Sequence, residues 1–437
     1  MKFVVASRHP GAARGALSLA RAAAGQRFDI EFISSDPAYS VLSTANLENV
    51  HCLRTAHERY PALRAYTGPE RIENADLGAP GLVNSAIREM AGWLSEFLKH
   101  SRPDAVVMAD ANEQLGVDQI ISIAAGDLGI PAVRIRDSWG IGRGVETSAT
   151  RGIVDESLRQ RAMAARYLEI DRQGAELSVR RLGIPEDRLV VIDGLYTLDR
   201  LVGHLTAERR RAARAALGVD PQQPLVVYFA QPTRGDDAEP HALRALVAAL
   251  NGAGLHSKGV VIATQEHPRE ADPEDGRLGL GWTATQAAAL YRGRVLDLTP
   301  GGVGNANQFE QTMEAADIFV SSYSNSSIEA TALGATAAAA LSPEQRPIGL
   351  FILCPDVVRD TLARRRGGLR LVPFAENGAV PYADVVEDIG PLVTDLLFRP
   401  ERRQHYFERM SAQYRVGRCS ARVLEETLQL VTASRVS

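Results

Sequence analysis

Short apolar runs alternate with longer amphipathic segments along most of this chain, and this alternation restricts the fold more than any other feature. Runs such as residues 3–6 and 105–109 have the length of strands. The segments between them, such as 12–24, repeat apolar residues at helical spacing. Strands that alternate with helices form βαβ units, which build mostly parallel sheets. The sequence therefore predicts an α/β protein.

The alternation occurs twice, which predicts two domains. The first series of runs ends near residue 192, and a second begins with a strand at 225–230, after an arginine-rich helix and a proline-bearing turn. A chain of 437 residues is long enough for two or three domains. We predict two Rossmann-like lobes of similar size, residues 1–205 and 206–400. Segment 51–85 is polar and irregular, and we interpret it as a long loop.

Composition excludes several classes of protein. Hydrophobic residues make up 45% of the chain, which is too many for low-complexity disorder. The net charge of −4 carries no basic block, so strong electrostatic binding of nucleic acid is not expected. Cys52, Cys354 and Cys419 are far apart in sequence, which argues against a thiolate metal site and for a reducing compartment.

Hydropathy gives no sign of a membrane segment. No apolar run approaches the roughly 18 residues that a spanning helix needs. The first residues contain one short apolar strand and lack the apolar core and cleavage site of a signal peptide. We therefore expect no transmembrane segment and a cytoplasmic protein.

The strongest functional signal is a strand over 318–321 that runs into a hydroxyl-rich turn and a helix. The backbone N–H groups and positive dipole at a helix start favour an anion, and serine hydroxyls add donors for a phosphate. A single capping serine would explain one hydroxyl, but four consecutive polar residues exceed that need. Glu329, within the first two turns, is placed to accept hydrogen bonds from ribose hydroxyls. The predicted phosphate-binding residues are Ser324, Asn325, Ser326 and Ser327.

Two further stretches point to the same edge of the second sheet. A strand near 260–263 ends in a polar turn that contains His267, Pro268 and Arg269, so His267 lies at the carboxyl end of a strand and Arg269 is suited to a phosphate. The loop after the lobe's first strand contains Arg234, a candidate to neutralise a leaving group. The alternative in each case is an ordinary surface turn with a solvated side chain.

Together these stretches resemble the donor lobe of GT-B-fold nucleotide-sugar enzymes. The His-Pro pair and the serine-rich helix start are similar to those of bacterial sialyltransferases and CDP-glycerol transferases, and the UDP-N-acetylglucosamine 2-epimerases share a similar layout. Residues 165–196 resemble the segment that connects the two lobes, although Gly194-Leu195-Tyr196 stands where many members have Gly-x-Pro. The resemblance implies two facing lobes, with C-terminal helices over 401–435 that cross back to the first lobe.

The resemblance also implies roles for residues. The hydroxyl-rich helix start would contact the donor phosphates, and His267 would lie near the nucleotide phosphate. No Asp-x-Asp pair stands in a suitable context, so we expect metal-independent chemistry with no cofactor beyond the nucleotide-sugar donor.

The first lobe is expected to supply the acceptor side. His9 follows the first strand and is a candidate general base, and Asp110 and Glu113 are alternatives after a later strand. Each could equally be an ordinary loop residue. The residues expected to shape the acceptor pocket are Arg8, Arg136, Asp137 and Trp139.

The predicted function is a glycosyltransferase that moves a sugar from a nucleotide-sugar to a small soluble acceptor, in a bacterial biosynthetic pathway. A sugar-nucleotide 2-epimerase is a first alternative, although the chain lacks the Gly-x-x-Gln-Glu-Glu run expected there. A polyol-phosphate or sialyl-type transferase and a non-catalytic nucleotide-sugar-binding protein are further alternatives. The expected partners are small molecules, with no nucleic acid, and a homodimer is left open.

Overall fold

The computed structural model describes residues 1–8, 10–26, 28–34, 38–45, 47, 49–52, 80–110, 117–136, 155–231, 238–267, 280–298, 306–365 and 368–435. By its internal contacts the chain divides into two compact units. Unit 1 comprises Met1–Arg200 and Arg415–Ser437, and unit 2 comprises Leu201–Tyr414. Both units are α/β, as the alternation of apolar runs predicts.

Unit 1 is built on a seven-stranded sheet with the strand order β3-β2-β1-β4-β5-β6-β7. Every neighbouring pair in it is parallel. The strands are β1 (Lys2–Ser7), β2 (Asp29–Ser34), β3 (Val50–Cys52), β4 (Ala105–Asp110), β5 (Ala132–Arg136), β6 (Arg166–Glu169) and β7 (Leu189–Val191).

Helices cover both faces of this sheet. Alternate strand residues serve the two faces, so Val4 and Val106 belong to one buried cluster while Phe3 and Val107 belong to another. The helices of unit 1 are α1 (Pro10–Ala23), α2 (Ala38–Thr44), α3 (Pro80–Ser101), α4 (Val117–Asp127), α5 (Glu156–Ala162), α6 (Arg172–Leu177) and, at the C-terminal end, α16 (Cys419–Ser434).

Unit 2 is built on a six-stranded sheet with the strand order β10-β9-β8-β11-β12-β13, again with parallel neighbours throughout. The strands are β8 (Leu225–Phe229), β9 (Val261–Gln265), β10 (Val295–Asp297), β11 (Ile318–Ser321), β12 (Ile348–Ile352) and β13 (Tyr382–Ala383). The helices are α7 (Ala207–Ala216), α8 (Ala238–Gly252), α9 (Trp282–Leu290), α10 (Ala306–Ala315), α11 (Asn325–Thr336), α12 (Asp356–Arg365), α13 (Pro373–Glu376), α14 (Val386–Phe398) and α15 (Pro400–Gln413).

Each sheet has a point where the direction of the strand order reverses. In unit 1 this switch point lies between β1 and β4, and in unit 2 it lies between β8 and β11. Because all strands are parallel, their carboxyl ends lie at one edge of each sheet. Ligands of open α/β sheets bind in the crevice at this edge, beside the switch point. In unit 2 the helices that follow the two switch-point strands are α8 and α11.

The division between the units differs from the predicted one in the C-terminal region. The prediction assigned helices over 401–435 to the first lobe, but α15 belongs to unit 2 and only α16 packs in unit 1. Arg403 of α15 is 1% exposed, and its guanidinium donates to the carbonyl oxygens of Glu344 and Arg346. This buried cation, with Phe407 and Met410 beside it in the core, fixes α15 on unit 2.

Two local predictions are wrong. Residues 80–85, interpreted as the end of a loop, begin the long helix α3, whose Ile87, Leu94 and Leu98 are fully buried at helical spacing. Helical periodicity over residues 157–167 predicts a helix that ends at residue 167, but residues 166 and 167 begin strand β6, because they pair with β5. Among the described residues, no helix is both long and apolar enough to cross a membrane.

Candidate functional site

The start of α11 is a capped helix terminus at the switch point of unit 2. Ser324 is the N-cap, with an extended backbone, and its hydroxyl oxygen accepts a hydrogen bond from the N–H of Ser326 at 3.2 Å. The hydroxyls of Ser324 and Ser326 are 2.9 Å apart, and the N–H of Ser324 donates to Ser321 Oγ at 3.2 Å. Asn325 between them is half-buried. Several hydroxyls thus converge on the positive end of the helix dipole.

Ser327 has a different position from the other predicted phosphate residues. Its side chain is fully buried, and its Oγ lies 2.7 Å from Ser321 Oγ and 3.2 Å from the carbonyl oxygens of Phe319 and Leu350. The hydroxyl therefore holds α11 against β11 and β12. A Cβ built on Gly349 of β12 would lie 1.8 Å from the Ser327 carbonyl oxygen, so the helix approaches the strand at a distance that only glycine permits.

A buried carboxylate spans the switch-point crevice beneath this helix start. Glu239, in the first turn of α8, is 1% exposed, and it accepts hydrogen bonds from the hydroxyls of Tyr228 (2.7 Å) and Ser322. Tyr228 lies near the end of β8, and Ser322 follows β11 directly. Burial, with the adjacent Glu239 carboxylate, raises the pKa of Tyr228 well above its ordinary value. The network joins β8, α8 and the turn that leads into α11.

The turn after β9 is held by a second buried carboxylate. Glu266 accepts from the backbone N–H groups of Gly281 and Thr283, each at 2.8 Å, and from the Thr283 hydroxyl at 3.0 Å, so it caps the start of α9. Burial raises the pKa of Glu266, and these hydrogen bonds oppose the rise. His267 follows immediately and is half-buried at the carboxyl edge of the sheet, where the sequence placed it.

Glu329 lies in α11, one turn beyond the capped start, and is 9% exposed. Arg234 and Arg269, the remaining predicted donor-side residues, lie outside the described residues. No group of three histidine, cysteine, aspartate or glutamate side chains within the described ranges is close enough to hold a metal ion.

Two predicted acceptor-side residues of unit 1 are described, and both are buried. Arg8 follows β1, and burial lowers its pKa, which the nearby Asp118 carboxylate opposes. Arg136 ends β5, and its Nε lies 3.8 Å from the Glu169 carboxylate, which also accepts from Ser178 Oγ at 2.6 Å. His9, Glu113, Asp137, Trp139 and the Asp110 side chain lie outside the described part of the chain, although Asp110 ends β4.

The network of Glu239, Tyr228 and Ser322 is not among the features predicted from the sequence. A tyrosine in an otherwise hydrocarbon strand, and a glutamate in the first turn of the following helix, were the available signals. Neither shows from sequence alone that the two side chains meet across the switch point.

Comparisons with known proteins show the fold. No protein-family model matches this chain, and no curated protein matches it in sequence. Among solved structures, it resembles the UDP-GlcNAc 2-epimerase of Methanocaldococcus jannaschii with a TM-score of 0.60 at 14% identity, over 98% of this chain and 100% of that one.

Two further structures resemble the chain over nearly its whole length. The UDP-GlcNAc 2-epimerase of Neisseria meningitidis, bound to UDP-GlcNAc, gives a TM-score of 0.58 at 14% identity, over 98% of this chain and 100% of that one. A glycosyltransferase of Rickettsia africae gives a TM-score of 0.58 at 11% identity, over 99% of this chain and 98% of that one. The chain therefore has the two-sheet GT-B fold of nucleotide-sugar enzymes, as its sequence resemblance implied, and at these identities the likeness shows the fold alone.

Proposed function

We propose that this protein is a glycosyltransferase that takes a nucleotide-sugar as donor and transfers the sugar to a small soluble acceptor. The observation that carries the proposal is the hydroxyl-rich start of α11, placed at the switch point of unit 2. A helix terminus there presents positive dipole ends and hydroxyl donors to an anion. A nucleotide-sugar presents a diphosphate of matching charge.

Different side chains of the proposed donor site bind different parts of the nucleotide-sugar. Ser324, Asn325 and Ser326 bind the diphosphate, and Glu329 accepts hydrogen bonds from the ribose. His267 lies beside the phosphate, and Arg234 and Arg269 remain predicted phosphate-binding residues on the basis of the sequence alone. Ser327 contributes indirectly, because its hydroxyl fixes the helix against the sheet.

Glycosyl transfer leaves negative charge on the departing nucleotide phosphate, and preorganised donors stabilise that charge in the transition state. The helix start supplies such donors without a metal ion, so we propose transfer that needs no metal and no cofactor besides the donor. A general base in unit 1 would remove the proton of the acceptor, and His9, Asp110 and Glu113 remain the candidates.

A sugar-nucleotide 2-epimerase is the second candidate, because several structures of similar fold are UDP-GlcNAc 2-epimerases. Epimerisation at C2 requires acids and bases around that carbon. Residues 321–330, which form the turn into α11 and its first turns, contain serines and one glutamate and lack the paired carboxylates expected of an epimerase. This difference favours the transferase.

Thermal unfolding with UDP, GDP, CDP, CMP, ADP and dTDP tests the proposal. A ligand at 100 times its Kd stabilises the folded protein by about 2.7 kcal/mol, which raises the midpoint by several degrees. We expect one nucleotide to produce this shift, and the shift to fall in Ser326→Ala and His267→Ala. No shift with any nucleotide on folded protein would contradict the proposal.

The reaction with UDP-GlcNAc distinguishes the epimerase from the glycosyltransferase. UDP-GlcNAc incubated with the enzyme in D2O and no acceptor would gain deuterium at C2 if the protein were an epimerase. A glycosyltransferase leaves C2 unlabelled and releases nucleotide in an acceptor-dependent manner.

A further inference from the structure

A groove of about 660 Å³ lies between α8 and α9 of unit 2. This volume falls within the range of small-molecule sites. The groove runs from the first turns of α8 and α9 along both helices, whereas the proposed donor site lies at the start of α11. The side chains that the argument uses are Pro240, His241 and Arg244 on one wall and Leu280, Trp282 and Ala289 on the other.

The two walls of the groove are fixed to each other at both ends. Near the start of the helices, Gln286 Nε2 donates to the Pro240 carbonyl oxygen at 3.4 Å. Near their far ends, Asn251 Nδ2 donates to the Leu290 carbonyl oxygen at 2.8 Å. Glu266 anchors the first turn of α9. The groove is therefore preformed, so a ligand would not have to order its walls.

The titratable side chains that line the groove, His241 and Arg244, are both basic. His241 and Arg244 are three residues apart on α8, so they project from the same side of the helix. Neither makes a hydrogen bond or an ion pair with another described residue. Among the described residues that line the groove, none has an acidic side chain. By contrast, Arg209, Arg210 and Arg214 of α7 are all paired with carboxylates or carbonyl oxygens.

The rest of the lining is suited to a flat apolar group. The half-buried indole of Trp282 faces the groove from α9, and Leu280 beside it is 55% exposed. Pro240 and Ala289 complete the apolar surface. A guanidinium pairs strongly with phosphate or carboxylate oxygens, and an aromatic ring packs on an indole.

We propose that this groove binds a small aromatic anion, separately from the donor site at α11. The negative group, a phosphate or a carboxylate, pairs with Arg244 and accepts a hydrogen bond from His241. The ring lies on Trp282, Leu280 and Pro240. This assignment does not depend on the proposed glycosyltransferase activity.

Isothermal titration with phenyl phosphate tests the proposal on the full-length protein. We expect saturable binding at one site, weakened at least tenfold in Arg244→Ala and less in His241→Ala. Arg211→Ala is the matched control, since Arg211 is an exposed helical arginine of the same unit outside the groove, and it should bind like wild type. Arg244 is exposed, so its replacement leaves the fold intact.

Absence of saturable binding to wild-type protein would overturn the proposal, as would equal affinity in Arg244→Ala. A second titration, in the presence of a saturating concentration of the nucleotide that gives the largest thermal shift, separates the two sites. Unchanged affinity for phenyl phosphate is expected, and competition would place the probe in the donor site and contradict a separate groove. If none of the six nucleotides binds, the donor-site proposal fails, while the comparison of wild type with Arg244→Ala still tests the groove proposal.

Discussion

The carboxyl edges of the two sheets use different chemistry. In unit 1, this edge carries buried arginines beside carboxylates, with Arg136 next to Glu169 and Arg8 near Asp118, in addition to the buried hydroxyl pair of Ser7 and Ser34. In unit 2, the edge carries neutral hydroxyls on a helix start, with a buried Glu239 beneath them. An edge held by charges loses most when one partner is removed, whereas an edge held by hydroxyls loses less at each position.

The largest effect is expected at the charged edge of unit 1. Glu169→Ala removes a buried carboxylate that lies 3.8 Å from Arg136 Nε and accepts the hydrogen bond of Ser178. Breaking a buried pair in this way costs about 4 kcal/mol, which lowers the unfolding midpoint of unit 1 by roughly 10 °C in calorimetry. Glu156→Ala removes an exposed ion pair of the same unit and should leave the midpoint essentially unchanged. If both variants lowered the unfolding midpoint by the same amount, the buried pair would contribute no more to stability than the exposed pair, contrary to this prediction.

A slightly smaller loss is expected where α11 meets β12. Gly349→Ala places a methyl group against the Ser327 carbonyl oxygen and pushes the first turn of α11 from the sheet. We expect a cost of about 3 kcal/mol to unit 2, together with loss of nucleotide binding. Gly252→Ala in α8 meets no atom within 4 Å and should be tolerated. Wild-type nucleotide affinity in Gly349→Ala would show that the helix start is not the site.

Removal of the negative charge of Glu239, at the switch point of unit 2, should have an intermediate effect on stability. Glu239→Gln keeps the shape of the side chain but weakens the hydrogen bonds from Tyr228 and Ser322, at a cost of about 2 kcal/mol. Denaturant unfolding of unit 2 measures this cost. Glu408→Gln, an exposed glutamate on α15, is the control. A loss no greater than in the control would mean that the network contributes little.

The smallest effect is expected at the cap itself. Ser324→Ala removes the oxygen that accepts from Ser326 N–H, and loss of an N-cap typically costs about 1 kcal/mol. Nucleotide affinity should fall as well, because we propose that the Ser324 hydroxyl donates a hydrogen bond to the diphosphate. Ser257→Ala, which removes an exposed hydroxyl, should change neither quantity. A fall in stability with unchanged affinity would leave Ser324 as a cap only.

The sequence was most informative where periodicity is strong. Fully buried strands such as β8 and β11 read as continuous apolar runs, and the serine-rich turn after β11 is local in sequence, so both were predictable. Helix α3 was missed because the polar segment before it has no clear start signal. The edge strand β13 is only two residues long, which is too short for any periodicity.

Contacts between residues that are far apart in the sequence could not be predicted. Ser322 and Glu239 are separated by 83 positions, and their hydrogen bond exists because the sheet places β8 beside β11. The same limit explains α15, which was assigned to the wrong domain, because Arg403 finds its carbonyl partners some 57 positions earlier in the chain. Local patterns specify elements, while tertiary packing decides which elements meet.

Hydrogen exchange of the full-length protein, with and without the nucleotide that gives the largest thermal shift, tests the central claim most directly. If the start of α11 binds the diphosphate, saturating nucleotide should slow exchange most strongly in peptides that cover residues 321–330. Protection confined to unit 1, or no protection in these peptides at saturation, would contradict the account.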